Sequence, residues 1–252
     1  MAPGVTSTFL WLLGTMIVRS VVVTLAATWL TRTAWARARW VRAEGPTRAQ
    51  TKSELVAAVL VILVDACVIA LALHTSVLTA IEPSRTASGA IWVLGSFAFM
   101  FVFFEAWFFV THRLCHTRAL YFMHAQHHVA LTAQPLSALS FSVLERLVLL
   151  LGTVGVAAAL QPVYPISLRG LELYLWVNYV LNVLAHSNVE VAPRWFARSL
   201  PGRVFIATTF HAMHHEEGRG HYGLFTRTLD RLFGTELPEY EALVSEGQRR
   251  SL

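Results

Sequence analysis

The sequence predicts an all-α fold: a multi-pass membrane helical bundle with a histidine-rich cap on its cytosolic side. Three observations predict it. The 252 residues are 55% hydrophobic and only 14% charged, and five apolar stretches approach the roughly 20 residues that a bilayer-crossing helix needs. The basic residues gather between these stretches, as topology determinants do. The histidines cluster near their ends.

Phe9 to Leu30 is the first apolar stretch. Arg19 interrupts it and must face other helices or snorkel, because lipid solvates a charge poorly. Thr31 to Lys52 carries Arg32, Arg37, Arg39, Arg42, Arg48 and Lys52 against the single acid Glu44, which places this loop in the cytoplasm and the N-terminus outside. Leu55 to Ile81 returns outward with Asp65 and His74, and a turn is expected around Glu82, Pro83 and Gly89. Ala90 to Thr111, rich in Phe and Trp, runs inward and delivers His112. Val143 to Leu160 is the fourth stretch, Pro162 and Pro165 make the outer turn, and Leu168 to Ala185 runs back to His186. The first and the shorter fourth stretch can be embedded without crossing fully. Pro193 to Arg203 mixes Trp195, Phe196 and Leu200 with arginines, which suits a helix lying in the interface. Three units result: membrane helices and basic loop over 1–89, a histidine-bearing unit over 90–235, and a polar tail over 236–252.

The net charge of +5 does not make a nucleic-acid binder, since the basic residues are not interleaved with exposed aromatics along one polar face. Cys67 and Cys115 are not expected to pair, and the N-terminus lacks the basic region of a cleaved signal peptide. Lys52 is the only lysine beside 19 arginines, a bias of GC-rich genomes. The expected location is a bacterial inner membrane, or the endoplasmic reticulum if the source is eukaryotic.

Between His112 and His128, five of 17 residues are histidine, where 11 spread over 252 residues would put fewer than one. His112 and His116 are four apart; His124, His127 and His128 form HxxHH; and His211, His214 and His215 repeat it. On a helix such spacings share a face, so each box is expected to aim its imidazoles one way, as metal ligands require. One tetrahedral zinc takes four ligands and would leave half of these histidines idle. The eight box histidines plus His186 fit two metals. His186 has both a structural and a ligand reading, and Asn178 and Asn182 on its helical face favour the second. His221 stands open between ligand, ligand support and surface. His74 is expected far from the boxes and Tyr121 in packing. Glu105 either orients a ligand histidine or pairs with Arg19, and Asp65 and Glu172 are read as buried acids without assigned partners.

The ordered series HRLCH, HAQHH and HAMHH resembles the histidine boxes of the fatty acid hydroxylase/sterol desaturase superfamily of membrane di-iron enzymes. The resemblance runs from about Ala90 to Thr235. It includes His186 in LAHSN and the closing run HYGLFTRTLDRLFGT, where His221 stands in the usual place of Asn. A His-Pro-x-Glu element of sterol-modifying branches is reduced here to SVLE, which keeps only Glu145. The resemblance implies two iron ions (with zinc possible in purified protein), O2, and electrons from a redox partner such as cytochrome b5 or ferredoxin with its reductase. It implies a hydroxylated or desaturated lipid as product. The third and fourth apolar stretches are then expected to wall an apolar substrate. The alternative is a metal-binding or transport protein without oxygenase activity, and a zinc or nucleophile hydrolase ranks last because GxSxG and HExxH are missing.

Overall fold

The structure, a computed structural model, describes residues 4–78 and 87–246. It is all-helical, with no strand among the described residues. The long helices are α1 (Val5–Thr31), α3 (Arg48–His74) and α4 (Ala87–Cys115), joined by the short α2 (Ala34–Arg37). After α5 (Tyr121–His124), α6 (Val143–Leu150) and α7 (Val156–Leu160) are linked by the π-turn Leu151–Gly155. Then follow α8 (Leu168–Ala185), α9 (Thr208–Glu217), α10 (Thr228–Phe233) and α11 (Tyr240–Glu246).

Among the described residues, four segments are long and apolar enough to cross a membrane: Val5–Thr31, Arg48–His74, Ser88–Cys115 and Val143–Leu160. The expected fifth, α8, is a helix of 18 residues but is too polar to meet that test. Helices of 27 residues are about 40 Å long, some 10 Å more than the hydrocarbon layer. In α4, of 29 residues, His112 stands in the last turn. Leu10, Trp11, Val18, Val22, Leu25 and Trp29 of α1 stay exposed, as side chains facing lipid would.

Two charged groups inside the bundle find partners. Asp65 takes a two-pronged bond from Arg146, both contacts 2.6 Å, so α3 and α6 are tied by charge. Arg19 lies over the rings of Trp176 and Tyr179 at 5.6 and 5.1 Å and so faces α8 rather than lipid. Glu172, read as buried, is exposed. The π-turn has a local cause: the Trp107 indole donates to the Val148 carbonyl at 3.1 Å and lies where a side chain on Gly152 would stand.

The basic loop lies at the histidine end of the bundle. Val41 donates to the Asn188 carbonyl, Arg42 to its side chain, and Trp40 bridges to Val189, directly after His186. The N-terminal turns of α3 join this end through Glu54, which accepts from Gln50, Gln134 and Ser137.

Some expectations change. The turn around Glu82 and Pro83 lies outside the described residues, and Gly89 belongs to α4. The interfacial helix over 193–203 is replaced by two 3-10 turns, Phe196–Arg198 and Pro201–Arg203. Pro201 cannot donate to a continuous helix, and Gly202 packs against the Phe196 carbonyl where no side chain fits. The tail read as polar holds α11, with Tyr240 and Val244 buried, and the fully buried Arg227 pairs with Glu236 and Glu241.

Candidate metal centre

Nine of the ten histidines proposed as ligands meet in two groups. His112, His116, His124, His128 and His214 form one, and His127, His186, His211 and His215 the other. Within each group the ligand atoms lie within 4.8 Å of one another. The groups adjoin: the His128 and His215 rings are 4.9 Å apart, and those of His124 and His127 5.1 Å.

The boxes do not each aim one way, as the spacing suggested. His124 and His128 join the first group while His127 joins the second; His214 joins the first while His211 and His215 join the second. The helical period explains the split in α9. Residues i and i+4 differ by about 40° around the axis, whereas i+3 lies about 60° off on the other side. In the second box a 3-10 turn, His127–Val129, separates the neighbouring histidines further.

Backbone carbonyls orient most of the rings. Nδ1 of His112 donates to the Tyr222 carbonyl at 3.0 Å, Nδ1 of His116 to Gly218 at 3.0 Å, and Nδ1 of His214 to Gly220 at 2.7 Å. Alternate carbonyls of one loop thus hold three ligands of the first group. A fourth, His124, donates Nδ1–H to Glu145 Oε1 at 2.6 Å. In the second group Nδ1 of His127 donates to Ser140 O at 3.3 Å and Nδ1 of His186 to Asn182 O at 2.8 Å. The support from Asn182 comes from its main chain rather than its side chain.

A carbonyl only accepts, so in these neutral rings the proton is on Nδ1 and Nε2 is a bare lone pair. Burial keeps the rings neutral. It pushes His127, His211, His214 and His215 well below the ordinary histidine range, His116 and His186 down to about 4, and His128 to about 3. The lone pairs then face one another: His112 and His124 Nε2 are 3.1 Å apart, His127 and His186 Nε2 3.4 Å. Two lone pairs at that distance repel unless a cation lies between them. Metal–nitrogen bonds of about 2.0–2.1 Å put neighbouring ligand atoms roughly 2.8–3.4 Å apart, for angles between 90° and tetrahedral. The other Nε2 contacts, from 2.8 Å for His186–His211 to 3.2 Å for His116–His128, fall around the same range. The donor sets therefore fit metal ions, and imidazole suits iron as well as zinc.

His221 lies outside both groups. Its Nδ1 donates to Phe210 O at 2.8 Å, its Nε2 accepts from Leu237 N at 2.9 Å, and its ring stacks on Phe210 with centroids 3.7 Å apart. Both ring nitrogens are engaged, which corrects the ligand reading. His74 is exposed at the far end of α3, and Tyr121 sits at the rim, 6.0 Å from the His116 ring.

Glu105 does neither of the things expected of it. Its carboxylate accepts the backbone N–H groups of Leu224, Phe225 and Thr226 and the Thr226 hydroxyl, between 2.9 and 3.2 Å. Asp230 accepts from Tyr222 N, Gly223 N and the Thr235 hydroxyl. Together they brace the loop whose carbonyls orient the first group. Sequence reasoning missed these roles because a backbone carbonyl leaves no trace in residue type; Glu145 alone had a signal, its survival in SVLE.

A helical membrane protein that brings nine imidazoles onto two adjoining points belongs to the histidine-box class of membrane proteins. The fatty acid hydroxylase family model matches residues 97–235, more than half of the chain. The chain belongs to that family. It is 28% identical to very-long-chain aldehyde decarbonylase GL1-7 of Oryza sativa subsp. japonica, over 53% of this chain and 21% of the rice protein. It is 29% identical to Protein CER1-like 2 of Arabidopsis thaliana, over 53% of this chain and 22% of the other. The aligned part is about a fifth of those relatives' length. No solved structure gives a significant match.

Proposed function

We propose that the chain is an O2-dependent di-iron oxidoreductase that hydroxylates, or desaturates, a lipid such as a fatty acyl chain, sterol or other isoprenoid. The observation that carries this reading is the convergence of nine buried or half-buried Nε2 atoms on two adjoining points. Two irons held there would supply the oxidising power, drawn from O2, that an unactivated C–H bond demands. The chain's own residues do the rest. The carbonyls of Gly218, Gly220, Tyr222, Ser140 and Asn182 fix the tautomers, so that every ring so held presents a lone pair. Phe141, stacked on His127 with centroids 4.8 Å apart, and Phe108 beside His112 keep water from the inner side. His116 and His128 are only half-buried and leave the outer side approachable.

In this reading the nine histidines are the ligands, residues 90–235 are the catalytic unit, and electrons come from a donor such as cytochrome b5 or ferredoxin with its reductase. The positive loop after α1 puts the histidine end in the cytoplasm and the N-terminus outside. The names of the relatives favour a second reading with the same centre, in which the substrate is a very-long-chain aldehyde and the reaction a decarbonylation. A metal carrier has less support: Asp65 and Glu105, which offer polarity at depth, are taken up by Arg146 and by backbone amides.

Metal analysis should give close to two metals per chain. Lipids of cells with and without the gene should differ by the mass of one oxygen or two hydrogens. A reproducible single metal, or an unchanged lipid profile with altered metal uptake, overturns the proposal.

A further inference from the structure

Outside the histidine groups, a cavity of about 540 Å³ opens between α3 and the start of α6. That is a common size for small-molecule sites, roughly 300–1,000 Å³. It does not lie between the third and fourth apolar stretches, where a substrate wall was expected. One wall is a stripe of α3, Lys52, Val56 and Leu60, spaced by four and all exposed. The other wall is Gln126, Phe141, Ser142 and Val143.

The groove's one charged lining residue, Lys52, lies at one end. Lys52 makes no ion pair among the described residues, and beside it Gln126 and Ser53 hydrogen-bond each other. From Lys52, α3 runs about 12 Å to Leu60 and lines this face with Ser53 and then Val56, Ala57 and Leu60. The Lys52 end is also the end nearest the metal centre. Gln126 precedes His127, and the Phe141 ring lies parallel to the His127 ring, 4.8 Å away with 5° between planes. A single ring thus separates the groove from the second histidine group.

We infer that this groove binds a long-chain fatty carboxylate, with its head group on Lys52 and its chain along Val56 and Leu60. One unpaired cation above one narrow apolar track suits a single chain with one negative charge better than a two-chain phospholipid. The carbons brought up to Phe141 and His127 are then those next to the carboxylate. This substrate class rests on the lipid-oxidising reading above, but the binding claim is tested without turnover.

The protein in nanodiscs is photolabelled with two palmitic acid probes, one with a diazirine near the carboxylate and one near the chain end, and with the matching alcohols. The head-end acid is expected to label Gln126, Phe141 or Val143, and the tail-end acid α3 at or beyond Leu60. Lys52→Ala should lower labelling by the acids roughly tenfold, the worth of one charge-assisted hydrogen bond, and leave the alcohols unchanged; Lys52→Arg should retain it. Val56→Trp, which fills the track, should block acids and alcohols alike. Adducts on α1 or α4, equal loss of acid and alcohol labelling in Lys52→Ala, or full competition by phosphatidylglycerol would overturn the inference. Metal content of the same samples keeps the two claims apart. Two metals with labelling elsewhere sinks the groove alone, and correct labelling on protein that holds no metals sinks only the oxidase reading.

Discussion

The two histidine groups share a wall but are supported differently. In the five-histidine group, three rings hang on the carbonyls of Gly218, Gly220 and Tyr222, and a fourth on the Glu145 carboxylate. Two of its members, His116 and His128, are half-exposed. The four-histidine group is buried throughout, lies behind Phe141, and takes its carbonyl supports from two separate segments, at Ser140 and Asn182. Its His215 Nδ1 has no hydrogen-bond partner. The first group is therefore adjustable through one braced loop and reachable from the polar side, while the second is set by the packing of the bundle.

The largest effects should come from removing one ligand on each side. His214→Ala and His211→Ala should each abolish product formation, by at least a hundredfold, while the protein still inserts. Metal analysis should show the loss of one ion in each; loss of both ions from either variant would mean that the groups do not load separately. Glu145→Gln keeps shape but weakens the acceptor behind His124. It should weaken metal binding in the five-histidine group by about 10–100-fold, read by competition with a chelator, and spare the other group.

Acid should act on both groups, with a definite sign. The folded pKa of His116 and His186 is about 4 and that of His128 about 3, against an ordinary 6.5. The unfolded chain thus binds more protons below that value, and the metal-free fold should lose stability as pH falls from about 6.5 towards 4. Thermal unfolding across that window checks it; a flat profile would contradict the burial of these rings. Exposure separates the groups more gently. In metal-free protein, diethyl pyrocarbonate should modify His116 and His128 several-fold faster than His127, His186 or His211, as read by peptide mass spectrometry. The smallest effect is expected from His221→Asn. This residue has φ near 53°, which Asn tolerates, and its ring lies outside both groups. Metal content should stay unchanged, with a stability loss of about 1–2 kcal/mol for the Phe210 and Leu237 bonds.

Much of this molecule was legible in the sequence because it is written in side-chain type. Apolar length marks the four described segments able to cross a membrane, and imidazole recurrence marks the histidines that converge. The excess of arginine between α1 and α3 marks one end of the bundle. Arg19 likewise had to face protein, and it faces Trp176 and Tyr179.

Tertiary structure alone decided how nine histidines divide into five and four. His127 and His128 are neighbours in the chain yet serve different groups, since a 3-10 turn and the helical period send adjacent side chains apart. It alone also decided what holds the rings, because those partners are mainly backbone carbonyls that any residue could supply. Glu105 was visible as a buried acid, but its partners are main-chain amides about 120 residues away. A sequence states which groups can bind; where their lone pairs meet depends on packing.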